Sequence, residues 1–190
     1  MTALPVRVAV LVSGGGTNLQ ALLDALQDSP LARITRVISN RSDAGALARA
    51  RAAGVPATVL RDPANAAELL AALGDANLVV LAGYLKLVPA AVVSRFRGRM
   101  INIHPALLPA FGGPRMYGQH VHAAVLASGA TESGVTVHFV DEAFDRGEII
   151  AQERVPVLPD DTPETLAARV LEAEHRLLPK VVLDLARRIS

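Results

Sequence analysis

An asparagine and a histidine stand two positions apart in the segment Asn102-Ile103-His104-Pro105. The apolar residues around them predict a strand over residues 100–103, and residues two apart on a strand point to the same side of a sheet. We therefore expect the Asn102 amide and the His104 imidazole to project together where the strand ends. An amide donor beside a titratable imidazole can polarise a carbonyl group and stabilise an oxyanion. A buried, hydrogen-bonded histidine next to a capping asparagine explains the same pattern without catalysis.

A second polar pair, Thr136 and His138, shares one face of a strand predicted over residues 135–140. The other face is apolar, so this polar face meets either solvent or a site. Asp145 follows in a loop that could return its carboxylate to an imidazole. Such a pair would fix the histidine tautomer and assist proton transfer, which is worth roughly 10²–10⁴ in rate. The alternative is that Asp145 is a turn residue placed before Gly147.

Glycines follow the predicted first strand, Val6–Val12, in the turn Ser13-Gly14-Gly15-Gly16-Thr17, and a helix is predicted over residues 18–26. This order places free backbone N–H groups beside the positive end of a helix, which favours phosphate binding. The dinucleotide fingerprint is incomplete, because Leu19 stands at the third glycine position and no acidic residue follows the second strand. The turn therefore predicts a phosphate without a dinucleotide, unless the glycines serve the turn geometry alone.

The remaining histidines do not indicate a metal site. His120 and His122 stand two apart in a predicted helix over residues 119–126, and residues two apart on a helix do not share a face. No third ligand is evident, and the absence of cysteine excludes both a cysteine nucleophile and a cysteine-ligated metal. We expect no metal. Glu174, in the last predicted helix, is expected on a solvated face from the residues alone.

The elements that must position these residues alternate between strand and helix over the first half of the chain, which implies βαβ units and a parallel sheet. Further strands are predicted over residues 34–39, 57–60, 78–82 and 149–157, and further helices over residues 43–53, 62–73, 89–96 and 163–188. Asp62 is the expected N-cap of the helix over residues 62–73, with Pro63 at its first position. Two strands without a helix between them predict an antiparallel pair near the C-terminal end. The expected fold class is α/β, with a Rossmann-like, mostly parallel sheet flanked by helices.

Composition limits the class of protein. The 190 residues carry a net charge of +1, with 51% apolar and 3% aromatic residues. The length suits one domain, and the aliphatic composition suits strands that are buried on both faces of a sheet. The small net charge and the scattered basic residues argue against a nucleic-acid partner, and no apolar run reaches the ~20 residues of a membrane span. We expect a cytoplasmic protein that binds neither nucleic acid nor membrane.

Taken in order along the chain, these segments resemble the folate-dependent formyltransferases. The matching stretches are residues 10–20, 79–84, 101–109, 116–118, 120–122 and 134–140, together with Asp145 and Gly147. The Asn-x-His-Pro stretch with its distant aspartate is highly specific for this fold, and the opening Ser-Gly-Gly-Gly-Thr-Asn indicates the branch that acts on a small ribose phosphate. Residues 1–190 are accordingly expected to form a single formyltransferase domain. A homodimer is left open.

The resemblance implies transfer of the formyl group of 10-formyltetrahydrofolate to the amine of glycinamide ribonucleotide in de novo purine biosynthesis, without a metal. It implies that Asn102 and His104 stabilise the oxyanion, while Asp145 holds His104 or a water for proton transfer. Thr136 and His138 would support this catalytic set. The alternatives are a related folate-dependent formyltransferase, a formyltetrahydrofolate hydrolase and, in another class, a non-catalytic nucleotide-binding module.

The resemblance also implies two sets of binding residues. Those expected to hold the ribose phosphate and its hydroxyls are Gly15, Gly16, Thr17, Asn18 and Glu174. Those expected to hold the folate are Leu85, Lys86, Leu87, Val88, Asn102, Val140 and Asp141. Two departures from the family stand in this sequence: Gly15 replaces a frequent asparagine, and residues 112–115 are an unusual version of a loop expected to be mobile, over residues 109–117.

Overall fold

The computed structural model describes residues 4–189 and confirms the α/β class. The strands are β1 (Val6–Val12), β2 (Ala32–Ser39), β3 (Ala57–Val59), β4 (Leu78–Leu81), β5 (Met100–His104), β6 (Glu132–Phe139) and β7 (Ile149–Pro156). The helices are α1 (Thr17–Leu26), α2 (Gly45–Ala52), α3 (Ala66–Leu73), α4 (Ala90–Arg95), α5 (Gln119–Ala127) and α6 (Pro163–Ile189). Residues 1–3 and 190, which the predicted single domain includes, lie outside the described residues.

The seven strands form one sheet in the order β3-β2-β1-β4-β5-β6-β7. The first five strands run parallel to one another, whereas β6 runs antiparallel to β5 and β7 antiparallel to β6. The predicted antiparallel pair is therefore confirmed. The link from β6 to β7 contains no helix, so the chain turns back directly instead of crossing over the sheet.

Helices cover both faces of the sheet, which explains why β1 is apolar at every position from Val8 to Val12. Val8, Val10 and Val12 lie in one buried cluster with α1 and α6, while Ala9 and Leu11 lie in the other with α3 and α4. Alternate residues of a strand point to opposite faces, so a strand that is covered on both sides needs apolar residues at every position. The continuous apolar runs noted in the sequence are the consequence.

Helix α3 begins later than the sequence indicates, so the prediction of a helix over residues 62–73 with Asp62 as its N-cap is wrong. The N-cap is Asn65, whose side chain accepts a hydrogen bond from the Glu68 N–H at 3.1 Å. The Glu68 carboxylate in turn accepts bonds from the backbone N–H groups of Arg61 and Asp62, at 2.8 and 3.1 Å. Together, Asn65 and Glu68 satisfy more backbone donors than an Asp62 cap would, and they fix the later start.

Helix α6 is the longest element and crosses from the β6–β7 side of the sheet to α1. It has 27 residues, and its buried residues recur at helical spacing along one stripe. This stripe packs against α1, α5 and the last two strands. None of the helices between residues 4 and 189 is long and apolar enough to cross a membrane.

Candidate active site

A cleft of about 560 Å³ opens at the carboxyl ends of the central strands. In the sheet, β1 lies between β2 and β4, so the direction in which successive strands are added reverses at β1. Open α/β sheets bind ligands at such a reversal of strand order. The predicted site residues that line the cleft are Asn18, Leu85, Lys86, Leu87, Val88, Asn102, His104, His138, Val140, Asp141, Asp145 and Glu174. Gly15 and Gly16 lie in the turn before α1, Thr17 is the first residue of that helix, and Thr136 lies behind the cleft wall.

The Asp145 carboxylate is the meeting point of the polar side chains in the cleft. One carboxylate oxygen lies 3.5 Å from His104 Nδ1, and the other lies 3.6 Å from His138 Nε2. The Asn102 amide donates to the second oxygen at 3.3 Å, and the Gly113 backbone N–H donates to the first at 3.0 Å. The structure thus brings an amide, two imidazoles and a carboxylate together from three separate segments of the chain.

Strand register accounts for two of these segments. In the antiparallel pair of β5 and β6, Asn102 is opposite His138 and His104 is opposite Thr136. Directly opposed residues of antiparallel strands point to the same face, so all four polar side chains lie on one side of the sheet. The sequence spacing predicted each pair on its own strand, and the pairing of the strands unites them.

The loop after β6 folds back tightly to deliver the third segment. Asp145 has a φ of 55°, in the left-handed region that aspartate tolerates better than most residues. A Cβ atom at Gly147 would overlap the Phe139 carbonyl oxygen, so a side chain at that position would push the loop away from β6. Asp145 is therefore a turn residue and a cleft residue at once, because the turn is what aims its carboxylate.

Backbone carbonyl groups define the tautomers of the two imidazoles. His104 Nε2 lies 2.8 Å from the Phe111 carbonyl oxygen, and His138 Nδ1 lies 2.7 Å from the Phe139 carbonyl oxygen. A carbonyl oxygen can accept a hydrogen bond but cannot donate one, so each of these nitrogens carries a hydrogen. In the neutral rings, His104 then presents Nδ1 to Asp145, and His138 accepts from the Asn102 amide at 3.1 Å through Nε2.

Burial and charge act against each other in this cluster. Burial lowers the pKa of His104 below its ordinary value, although the neighbouring Asp145 carboxylate offsets part of the effect. Burial alone would raise the pKa of Asp145, but its contact with His138, the charge of His104 and the Gly113 N–H together lower it. At neutral pH the carboxylate is therefore ionised, and a substrate meets a negative charge held beside an imidazole.

Thr136 supports the cluster from behind, without reaching the cleft. Its hydroxyl donates to the Ala106 carbonyl at 2.6 Å and accepts from the Leu108 N–H at 3.0 Å. The Gln152 amide donates both to this hydroxyl and to the Leu108 carbonyl, each at 2.9 Å. The side chain thus holds the turn that follows His104. Gln152 was not predicted as a site residue, since its place opposite Thr136 depends on the β6–β7 register.

The glycine turn after β1 has the geometry expected of an anion site. A Cβ atom at Gly16 would approach the Ala46 backbone to 2.7 Å, and Gly16 has a φ of 78°, so glycine alone allows α1 and α2 to approach here. Helix α1 begins at Thr17 with no side-chain cap and no acidic residue in its first turn. Its first backbone N–H groups therefore remain available for an anionic ligand.

Glu174 is buried, so its expected position on a solvated face is wrong. The side chain accepts a hydrogen bond from the Asn18 amide, and burial raises its pKa, against the effect of that bond. Glu174 is buried because α6 packs on α1 and its buried stripe, which contains Ala173 and Leu177, also includes Glu174. Glu172, two positions earlier, is exposed. Glu174 and Asn18 form the side of the cleft next to the glycine turn.

The opposite side of the cleft is apolar and partly exposed. Leu85 and Leu87 are 48% and 50% exposed, and the aromatic rings of Tyr117 and Phe144 are exposed at the same cleft. Exposed apolar side chains around a concavity are typical of a ligand-binding surface. Among residues 4–189, no group of three or more histidine, aspartate or glutamate side chains is arranged to hold a metal ion.

Comparison with protein families decides where this chain belongs. The profile of a family described as formyl transferase matches residues 6–182. The chain belongs to the formyl transferase family. The resemblance noted in the sequence is thereby confirmed, and the Asn102, His104 and Asp145 cluster lies within the matched residues.

The chain is similar to several proteins of known name. It is 45% identical over 186 residues to the chloroplastic phosphoribosylglycinamide formyltransferase of Arabidopsis thaliana, covering 93% of this chain and 64% of the relative. It is 40% identical over 185 residues to the Haemophilus influenzae phosphoribosylglycinamide formyltransferase, covering 93% of this chain and 85% of that relative. The chain thus spans less than two thirds of the length of the plant protein.

A solved structure shows the same architecture. The crystal structure of phosphoribosylglycinamide formyltransferase from Anaplasma phagocytophilum matches this chain with a TM-score of 0.89 and 38% sequence identity. The match covers 96% of this chain and 87% of the other. The predicted fold, including the antiparallel end of its sheet, is therefore also the fold of that crystal structure.

Sequence reasoning missed one imidazole that lines the cleft. His122 was weighed as a metal ligand and as part of a matching stretch, and no site role was assigned to it. It is buried, lines the cleft, and has no partner for its Nδ1 among the described residues. Burial, and then the nearby His104, lower its pKa. A histidine in the first turn of a helix gives no sign in the sequence that the helix points at a cleft, so the fold was needed to find it.

Proposed function

We propose that this chain transfers the formyl group of 10-formyltetrahydrofolate to the amine of glycinamide ribonucleotide, a step of de novo purine biosynthesis. The observation that carries the proposal is the contact of the Asp145 carboxylate with Asn102, His104 and His138 inside one cleft. The names of the relatives support the choice of acceptor, since they are phosphoribosylglycinamide formyltransferases. The cleft volume also suits small-molecule ligands.

The two ends of the cleft suit two different ligands. Gly15 and Gly16 of the glycine turn, with Thr17 and Asn18 at the N-terminus of α1, would hold the phosphate, and Glu174 would accept hydrogen bonds from the ribose hydroxyls. Residues 85–88, with Asn102, Val140 and Asp141, would form the wall against which the flat folate ring lies. The polar cluster lies between the two, so the amine and the formyl group would meet beside it.

The reaction needs no partner beyond these two substrates. The amine nitrogen forms a bond to the formyl carbon, and the carbonyl electron pair moves onto oxygen. Substrate binding would release the Asn102 amide from Asp145 and His138, and the His104 Nε2–H from the Phe111 carbonyl, so that both could donate hydrogen bonds to that oxygen. When the carbonyl re-forms, the bond to the folate nitrogen breaks, that nitrogen takes up a proton, and the former amine gives one up. Asp145 would hold the His104 ring while these protons move.

His104→Ala tests the proposal. We expect wild type to form tetrahydrofolate from 10-formyltetrahydrofolate when glycinamide ribonucleotide is present, and the variant to be slower by at least ~10², because a hydrogen-bond donor and a proton carrier are lost together. His120→Ala, which removes an exposed histidine, is the matched control. Equal rates in wild type and His104→Ala would remove His104 from the mechanism.

The same assay separates the alternatives. A formyltetrahydrofolate hydrolase would release formate at the same rate with the acceptor omitted, and a related transferase would need another amine. A nucleotide-binding module would bind a dinucleotide and ignore changes at Asn102, His104 and Asp145. Wild type that is inactive toward glycinamide ribonucleotide would refute the proposed acceptor.

A further inference from the structure

A buried serine hydroxyl joins the two sides of the cleft. Ser13 follows directly after β1 and is 3% exposed. Its hydroxyl donates to Asn40 Oδ1 at 2.5 Å and accepts from the Leu85 backbone N–H at 2.9 Å. The Ser13 backbone N–H donates to the Gly83 carbonyl at 3.1 Å. One small residue therefore contacts two segments that are far apart in the sequence.

These contacts lie where three parallel strands end. Asn40 follows β2, Gly83 and Leu85 follow β4, and Ser13 begins the turn between β1 and α1. Because β1 lies between β2 and β4, the chain leaving β1 separates from both neighbours at this point. On the β4 side, one backbone bond still joins the two segments, from the Ser13 N–H to the Gly83 carbonyl. Here the Ser13 side chain provides a hydrogen-bonded connection.

The segment that Ser13 holds has little else to fix it. Residues 82–89 form neither helix nor strand, and Leu85, Lys86 and Leu87 are exposed. Among residues 4–189, Ser13 is the sole hydrogen-bond partner recorded for residues 84–88. The buried side chains of Tyr84 and Val88 anchor its two ends. The position of the exposed wall between them therefore depends on a bond to the residue that opens the glycine turn.

We propose that Ser13 is a positioning residue that couples the two ligand sites of the cleft. The inference rests on the proposed function, which puts the acceptor phosphate at the glycine turn and the folate against residues 85–88. A ligand on the turn restricts Ser13, and Ser13 then holds the Leu85 N–H in place for the second ligand. A coupling free energy is the same in both directions, so each ligand tightens the binding of the other.

Ser13→Ala tests this inference through binding without turnover. Titration calorimetry would measure the affinity of tetrahydrofolate with and without glycinamide ribonucleotide, a pair that cannot react because no formyl group is present. In wild type we expect each ligand to lower the dissociation constant of the other by about fivefold. In Ser13→Ala this factor falls to about one, and KM for both substrates rises several-fold while the pH profile of kcat is unchanged.

Two further variants distinguish positioning from mere folding. Ser13→Thr keeps the hydroxyl, so it retains the coupling, and Ser42→Ala removes an exposed serine of the neighbouring loop and behaves as wild type. Wild type without coupling overturns the inference, and so does a folded Ser13→Ala with full coupling. If wild type does not formylate glycinamide ribonucleotide but shows coupling that Ser13→Ala abolishes, the proposed function fails and the inference stands. If neither ligand binds wild type, both fail.

Discussion

Two properties of Asp145 matter for the site. Its negative charge acts on the neighbouring side chains, and its backbone conformation determines where the carboxylate lies. Its left-handed φ places the carboxylate against Asn102, His104 and His138, and its negative charge counters the effect of burial on the pKa of His104. Shape and charge can be separated experimentally, because asparagine is nearly the same size and also tolerates the left-handed region.

Asp145→Asn is expected to fold normally and to lose at least ~10² in kcat. The neutral amide no longer favours a protonated His104, so proton transfer is impaired while the turn is kept. Steady-state kinetics and circular dichroism would be compared with wild type. Full activity in a folded variant would contradict the role proposed for this carboxylate.

Glu174→Gln is expected to raise KM for glycinamide ribonucleotide about tenfold, with KM for the folate unchanged. The side chain keeps its size but loses the charge that would strengthen hydrogen bonds from ribose hydroxyls, which are worth about 1.5–3 kcal/mol when one partner is charged. Glu172→Gln, an exposed neighbour on the same helix, is the control. Similar KM values for wild type and Glu174→Gln would place the ribose elsewhere.

The polar pairs of the site were visible in the sequence because a strand repeats every two residues. That period places Asn102 with His104, and Thr136 with His138, without any knowledge of the fold. It does not say which strands pair, so the contact of Thr136 with Gln152 and the burial of Glu174 could not be derived from the residues alone. Both depend on contacts between elements that are distant in sequence.

At the scale of the element, capping shows how local chemistry sets a boundary. Asn65→Ala is expected to lower the free energy of unfolding by about 1 kcal/mol, because the Glu68 N–H loses its acceptor at the start of α3. Asp62→Ala, at the position first expected to be the cap, should cost less. Urea unfolding would measure both, and an equal loss in the two variants would contradict the observed cap.

Strands and helices were largely predictable, and their exact ends were not. The apolar run over β4 reflects two buried apolar faces, and the alternation within β6 reflects one apolar face and one polar face, both buried. Such patterns are properties of a few neighbouring residues. Two residues, Asp62 and Asn65, could cap the start of α3. The sequence order of Asp62 and Pro63 favoured Asp62, whereas the N-cap in the structure is Asn65. Such competitions are decided by hydrogen bonds to residues outside the element.

For the molecule as a whole, buried imidazoles make stability depend on pH. Burial lowers the pKa of both His104 and His122, so the folded chain stays neutral at these sites where an unfolded chain would bind protons. As the pH falls below about 6.5, the unfolded state gains protons that the folded state does not, and the free energy of unfolding decreases. Asp145, whose pKa is lowered, stabilises the fold throughout this range and loses its contribution only in stronger acid.

His122→Gln is therefore expected to weaken the dependence of Tm on pH between 7 and 5, since one of the buried imidazoles is removed. His120→Gln, at an exposed position of the same helix, is the control and should keep the wild-type slope. Thermal melts at several pH values would measure the slope of Tm against pH for both variants. Because wild type and His122→Gln share all other titrating groups, a difference in slope between them is due to His122. Identical slopes in wild type and His122→Gln would contradict the effect of burial.

The bond between Asn18 and Glu174 joins residues that are 156 positions apart, one in the first helix and one in the last. A ribosome therefore delivers α1 and the glycine turn long before the helix that completes their side of the cleft exists. Nascent chains that end before α6 would carry the glycine turn without the Glu174 carboxylate beside it. If the proposed formyl transfer is correct, it would require nearly the whole of the described chain, so truncated products of interrupted translation would be inactive.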